Sequence, residues 1–250
     1  MKDLTVIIPI MRLEGENLKK FVTTAFNSVN DGETNVIVVG TSDIIKEAKK
    51  IKTETPSKFT FLVDDGNYQS HINKAVEGIT TKFFTVLDAN FSISKNAFKN
   101  AEFYIANDTE GISVYLTLME AMDLDGNTVA YLNEANWATS FSETIGQLDL
   151  NSTKDYSNYH MSGAIINTSD FKGVGGLKES MKEAYWYEFI LRGLKQNKIF
   201  FVIPKIGAYA YSGDNPSWDG VKLSEDEANW WFDLARKEYI FPQDRNITYE

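Results

Sequence analysis

Carboxylates recur in the first third of the chain, each shortly after an apolar run. Asp43 follows NVIVV at 35–39, Asp64-Asp65 follows FTFLV at 59–63, and Asp88 follows FFTVL at 83–87. Acidic side chains gathered at such places would repel a bare phosphate, but they suit a divalent cation that bridges to a diphosphate. Asp65 also has a plainer reading, as a turn residue before Gly66. In the second half Glu183 could move a proton, and Glu188 lies four residues before Arg192, the spacing of a helical ion pair. The two histidines are His71 and His160, and His160 directly precedes an apolar run where it could face a pocket. No cysteine is present, which excludes disulfides, thiolate metal sites, cysteine nucleophiles and iron–sulfur clusters.

These residues need elements to position them. The three runs, together with LTVIIPI at 4–10, have the continuous apolar character of strands buried on both faces. Between them, residues 18–29 place Leu18, Phe21, Val22, Ala25 and Val29 on one helical stripe, and 68–78 reads as a helix. Ser42 or Asp43 would cap a short helix through Lys50. Such alternation predicts an α/β fold with a mostly parallel central sheet flanked by helices. Ligands then bind beyond the carboxyl ends of the strands, here 9–13, 40–43, 64–68 and 88–90.

Further along, 112–122 and 129–132 read as strands joined by the turn DLDGN at 123–127. The polar stretch 133–159 predicts surface loops, 162–167 a strand, and 169–176 a glycine-rich turn. A helix follows over 183–194 and a strand over 198–203. Trp230, Trp231, Leu234 and Ala235 have helical spacing within 225–238, which predicts a helix packed back on the body. The expected organisation is a single domain over 1–212, with halves 1–95 and 96–212, and a helical extension over 213–250.

Hydrophobic content of 43% and aromatic content of 13% can build a sizeable core. A net charge of −10 argues against a broad nucleic-acid surface, which needs clustered Lys and Arg. The first apolar run is too short for a signal core, and no run reaches the roughly 18 apolar residues of a membrane span. The expectation is a soluble, cytoplasmic protein without a membrane span.

Taken in order, the motifs resemble the family 2 glycosyltransferases of the GT-A fold. The carrying segments are LTVIIPI at 4–10, VIVVGTSD at 36–43, GNYQSHINKA at 66–75 and FFTVLDAN at 83–90. Asn73 lies 15 residues before Asp88, similar to the family's helix-then-strand run into its DxD motif. MSGAIIN at 161–167, FKGVGGL at 171–177 and EFILR at 188–192 look like its acceptor-side segment. The resemblance covers roughly residues 3–211.

It implies transfer of a sugar from a nucleotide sugar to a glycan or other hydroxyl acceptor, with a divalent metal, Mn or Mg, on the DxD residues. Asp88 matches the first DxD position and Asn90 the last, where Asn offers a neutral oxygen. Pro9, Ile10, Arg12, Asp43 and Asp65 would lie around the donor with Asp88. The family's acidic pair before the helical Arg is replaced by Tyr185 and Trp186, so Glu183 is the substitute candidate for the base. Trp186, Glu188 and His160 fall on the acceptor side, where Trp137, Tyr187 and Trp218 add further aromatic surface. The family's late metal-binding His is also missing from 207–211. These departures support an alternative: a catalytically inactive GT-A-like module serving a protein partner. A nucleotidyltransferase fits less well, since Ile-Met-Arg-Leu-Glu-Gly after Pro9 lacks its glycine-rich basic signature.

Overall fold

The computed structural model describes residues 1, 3–12, 34–51, 58–88, 91–123, 125–134, 146–157, 159–211 and 224–240. The helix expected over 18–29 lies outside them, as do Asn90, Trp137 and Trp218. Strands β1 (Leu4–Ile10), β2 (Asn35–Gly40), β3 (Lys58–Val63) and β4 (Phe83–Val86) pair in parallel in the order β3-β2-β1-β4. Their carboxyl ends therefore share one edge of the sheet. Helices α1 (Ser42–Ala48) and α2 (Tyr68–Glu77) follow β2 and β3.

The second half completes a nine-stranded sheet among the described residues. It adds β5 (Phe91–Ile93), α3 (Ala97–Ala106), β6 (Val114–Met122) and β7 (Thr128–Leu132). Then come α4 (Leu150–Asp155), β8 (Ile165–Asn167), α5 (Thr168–Val174), α6 (Tyr185–Lys195), β9 (Phe200–Tyr211) and α7 (Glu225–Tyr239). The sheet continues β4-β8-β6-β9-β5, with β7 on β6. Here β6 and β9 are parallel, whereas β8, β5 and β7 run antiparallel to their neighbours. Six of the nine described strands, β1 to β4 with β6 and β9, therefore run in one direction, so the sheet is mostly parallel as expected, with β5, β7 and β8 reversed. Antiparallel neighbours need no crossover helix, so apolar strand patterns alone do not reveal them.

Both faces of the sheet are covered, and adjacent residues divide between two cores. Ile7, Val39, Phe84, Val114 and Ile166 belong to the core under α2, α5 and α6. Ile8, Val38, Phe83, Tyr115 and Ile165 belong to the core under α1 and α3. That division is the strand period of two with apolar residues at every position, which is why β1 is buried along all seven residues.

Three local expectations change. The polar stretch before Tyr159 contains α4, because Asp149 and Ser152 form a reciprocal capping box that satisfies the first turn. The stretch expected as a turn at 169–176 is the helix α5, capped by Asn167 and closed by Gly175 at φ 98°. β9 continues far beyond residue 203 because β6 pairs with it along its length, with register shifts around Leu118. Helix α7 packs on α6, with the Tyr187 and Phe232 rings 5.5 Å apart. No helix among the described residues is long and apolar enough to cross a membrane.

Candidate active site

Asp88 sits just past the end of β4, and its surroundings fix it from two sides. The Leu87 N–H donates to the Ile7 carbonyl, which holds the strand end to β1. The Asp88 N–H donates to Ser162 Oγ at 3.1 Å, and the Tyr68 hydroxyl donates to Asp88 Oδ1 at 2.5 Å. Burial pushes the Asp88 carboxyl up to about 6, against the hydrogen bonds from Tyr68 and Ser162 that favour the anion. A cation beside it would restore full ionisation. Among the described residues no group of three His, Asp or Glu gathers as a metal cage. One carboxylate nevertheless fits a hard ion that is delivered with diphosphate oxygens and water, the usual manner for Mg²⁺.

Beside Asp88 opens a cavity of about 90 Å³, whose walls include Tyr68, Phe91, His160, Glu183 and Trp186. That space holds several waters or one small substrate group, well short of a whole nucleotide sugar. The fold thus gathers four of the expected site residues, Asp88, His160, Glu183 and Trp186, around one opening. His160 is held by its backbone: Asn133, at φ 64°, accepts the His160 N–H and donates to the His160 carbonyl. The imidazole lies 5.6 Å from the Phe91 ring. Burial lowers its basicity to about 4, so the ring is neutral near pH 7.

Glu183 reaches the cavity because α2 carries the segment before it. Asn67 Nδ2 donates to the Glu179 carbonyl at 2.8 Å, and Gln69 Nε2 donates to the Met181 carbonyl at 2.5 Å. Asn73 holds Leu177 through both backbone atoms. The cap and polar residues of α2 thereby bind alternate carbonyls of 177–181, those of Leu177, Glu179 and Met181. Glu188 has a different fate from the acceptor-side one expected. It is absent from the cavity wall and fully buried, with Arg192, Lys178 and Tyr239 around its carboxylate. Its helical spacing to Arg192 is a structural ion pair, at 2.8 Å.

The remaining expected donor-side residues among those described, Pro9, Ile10, Arg12, Asp43 and Asp65, lie along the same sheet edge but do not line this cavity. Pro9 and Ile10 end β1 and are buried, whereas Arg12 is exposed. Gly40 ends β2 beside them, where a Cβ would stand 2.7 Å from the Ile10 carbonyl oxygen. Asp43 is exposed in the first turn of α1, and Asp65 Oδ1 lies 3.5 Å from the Ser42 N–H. Asp64 is the structural member of its pair, bonded to Ser70 and Lys74 with His71 nearby. Sequence reasoning missed Tyr68 and Ser162 as partners of Asp88. The available signal was slight: Tyr68 opens a helix directly after the Gly66-Asn67 turn, and its hydroxyl would need a partner if buried.

No family model matches the chain, and no curated protein matches it. Solved structures do. TarS 1–349 of S. aureus in complex with UDP-GlcNAc matches at a TM-score of 0.64 and 20% identity, over 94% of this chain and 66% of that one. The same TarS fragment in complex with UDP matches at a TM-score of 0.57 and 18% identity, over 97% of this chain and 73% of that one. The mannosyltransferase PcManGT from Pyrobaculum calidifontis, in complex with GDP-Man and Mn²⁺, matches at a TM-score of 0.56 and 10% identity, over 95% and 61%. This chain spans roughly two thirds of the length of these neighbours. At such identity the likeness is one of architecture, and by that measure the chain has the GT-A-type fold of these glycosyltransferases.

Proposed function

We propose that this protein is a glycosyltransferase that binds a nucleotide sugar across the carboxyl ends of β1 to β4 and transfers the sugar to a hydroxyl acceptor beside Asp88. The observation that carries this reading is the convergence of Asp88 and Glu183 on one cavity, although 95 residues separate them in sequence. Pro9, Ile10, Arg12, Asp43 and Asp65 surround the nucleotide in this reading. Asp88 would hold a Mn or Mg ion that arrives with the diphosphate, and the DxD match implies Asn90, two residues on in the sequence, as its second ligand. When bound, that ion neutralises charge on the departing diphosphate.

Glu183 acts as the general base. The acceptor oxygen bonds to the anomeric carbon, the bond to the diphosphate oxygen breaks, and the acceptor proton passes to Glu183. His160 and Trp186 orient the acceptor, the neutral imidazole by hydrogen bonding and the indole by its apolar face. The ligands named for the neighbours, UDP-GlcNAc, UDP and GDP-Man, set the nucleotides to try first.

Calorimetric titration with UDP and GDP, each with and without Mn²⁺, tests the donor site. The expected result is micromolar binding that depends on metal and disappears in Asp88→Ala. No binding of any nucleotide at millimolar concentration would overturn the proposal and leave a GT-A-like module with a protein partner.

A further inference from the structure

Tyr68 stands outside every role assigned so far, yet it makes the shortest contact that Asp88 has among the described residues. Its hydroxyl donates to Asp88 Oδ1 at 2.5 Å, and both residues are buried, 3% and 6% exposed. The ring needs no hydroxyl to fill its place, since it packs 5.2 Å from Tyr185 and belongs to the core beneath α2. Phenylalanine would satisfy that packing. The hydroxyl is therefore directed at the carboxylate, and burial together with the Asp88 charge keeps it protonated as a donor.

The two ends of this contact are separately anchored. Asp88 is fixed at its backbone by Ser162 and by the β4 ladder, and its carboxylate is held by the Tyr68 hydroxyl at 2.5 Å, with Ser162 as a second hydrogen-bond partner. Tyr68 is in turn the first residue of α2, whose Asn67 cap and Gln69 and Asn73 bonds lock the helix to 177–181. Tyr185, whose ring packs against that of Tyr68, opens α6 two residues after Glu183. One side chain thus touches the donor-side carboxylate and the acceptor-side helix.

Resting on the donor site proposed above, we propose that Tyr68 is its positioning residue: the hydroxyl holds the Asp88 carboxylate in the orientation that receives the cation and diphosphate. Hydrogen-bond partners of ligating carboxylates set ligand orientation, and their loss costs about 10- to 100-fold in metal affinity.

The test compares the full chain with Tyr68→Phe in calorimetric titrations of UDP and GDP, with and without Mn²⁺, alongside thermal melting. The expected result is a loss of about 10-fold or more in nucleotide affinity with Mn²⁺ and no change without it. A merely structural role would move both titrations together. Equal metal dependence in the two proteins, or tighter metal-dependent binding in Tyr68→Phe, would overturn the positioning role while leaving the donor site intact. Failure of the unaltered protein to bind any nucleotide would overturn both. Should Tyr68→Phe melt before titration, Asp88→Glu reads the same property. It keeps the charge but carries the carboxylate one methylene away from the Tyr68 hydroxyl. It too is expected to lose the metal-dependent increment, and retention of that increment overturns the proposal.

Discussion

Asn73 bonds Leu177 at both polar atoms of its backbone: Nδ2 donates to the carbonyl and Oδ1 accepts the N–H, each at 2.8 Å. A side-chain amide has one donor face and one acceptor face, so this pairing imitates a rung of β-ladder between a helix and a loop. The segment it anchors leads to Glu183. Asn73→Ala leaves both Leu177 groups without that partner and should cost about 2 kcal/mol. Urea denaturation should show a lower midpoint at unchanged slope, and an unaltered midpoint would sink the assignment.

The Glu188 carboxylate is buried, which by itself would raise its pKa. Hydrogen bonds from Arg192 and Tyr239 and the charges of Arg192 and Lys178 outweigh this and hold it below the usual carboxylate value. A depressed carboxylate stabilises the fold above its unfolded pKa, near 4.5, and that contribution is lost as pH falls through the lower folded value. Glu188→Gln leaves Arg192 and Lys178 without their counter-charge and should cost about 3 kcal/mol at pH 7. Below pH 4.5 the unfolded chain takes up the proton before the native carboxylate does, so the unaltered protein loses this stability and the two should converge. Parallel stability curves down to pH 3 would contradict the cluster's role.

His160 gives the opposite kind of group, a base whose folded value is lowered to about 4 against an ordinary 6.5. The unfolded chain takes up a proton first, so stability falls as pH drops from 6.5 to 4, by at most about 3 kcal/mol. His160→Gln removes this titration. Unfolding free energies at pH 7 and pH 5 should differ less in the variant than in the unaltered protein. Equal differences would mean the imidazole is solvated in the native state.

Glu183 is the group on which turnover depends in the proposed reaction. Glu183→Gln should lower the transfer rate by about 10²- to 10⁴-fold while nucleotide affinity stays unchanged. Product formation under single-turnover conditions, set beside calorimetry, separates the two. A variant with full transfer activity would move the base to another residue of the cavity wall.

Much of the donor half was legible because its signals are local. Each strand from β1 to β4 is a contiguous apolar run, and α2 follows a turn and a capping Asn67 within a few residues. Asp88 was legible for the same reason: it is fixed by where β4 stops. The acceptor half was less so. β5 is three residues long, too short for periodicity to register, and joins the sheet through β9, more than 100 residues away. β8 was expected within 162–167, but its antiparallel place between β4 and β6 was not. α4 and α5 owe their form to caps on polar sequences rather than to apolar stripes.

The order of apolar and polar residues is enough to specify the strands, their double-sided burial and the carboxylates at their ends. Which acidic groups meet depends on how distant elements pack. The same helical spacing that could have put Glu188 at a substrate instead buried it against Arg192, Lys178 and Tyr239. Glu183, with no motif around it, arrived beside Asp88 because α2 holds 177–181 by its side-chain amides. Tyr68 could be placed on Asp88 only once α2 and β4 were packed together. Side-chain contacts between distant segments depend on the register of whole elements against one another, and that register is a property of the assembled core rather than of any local run of residues.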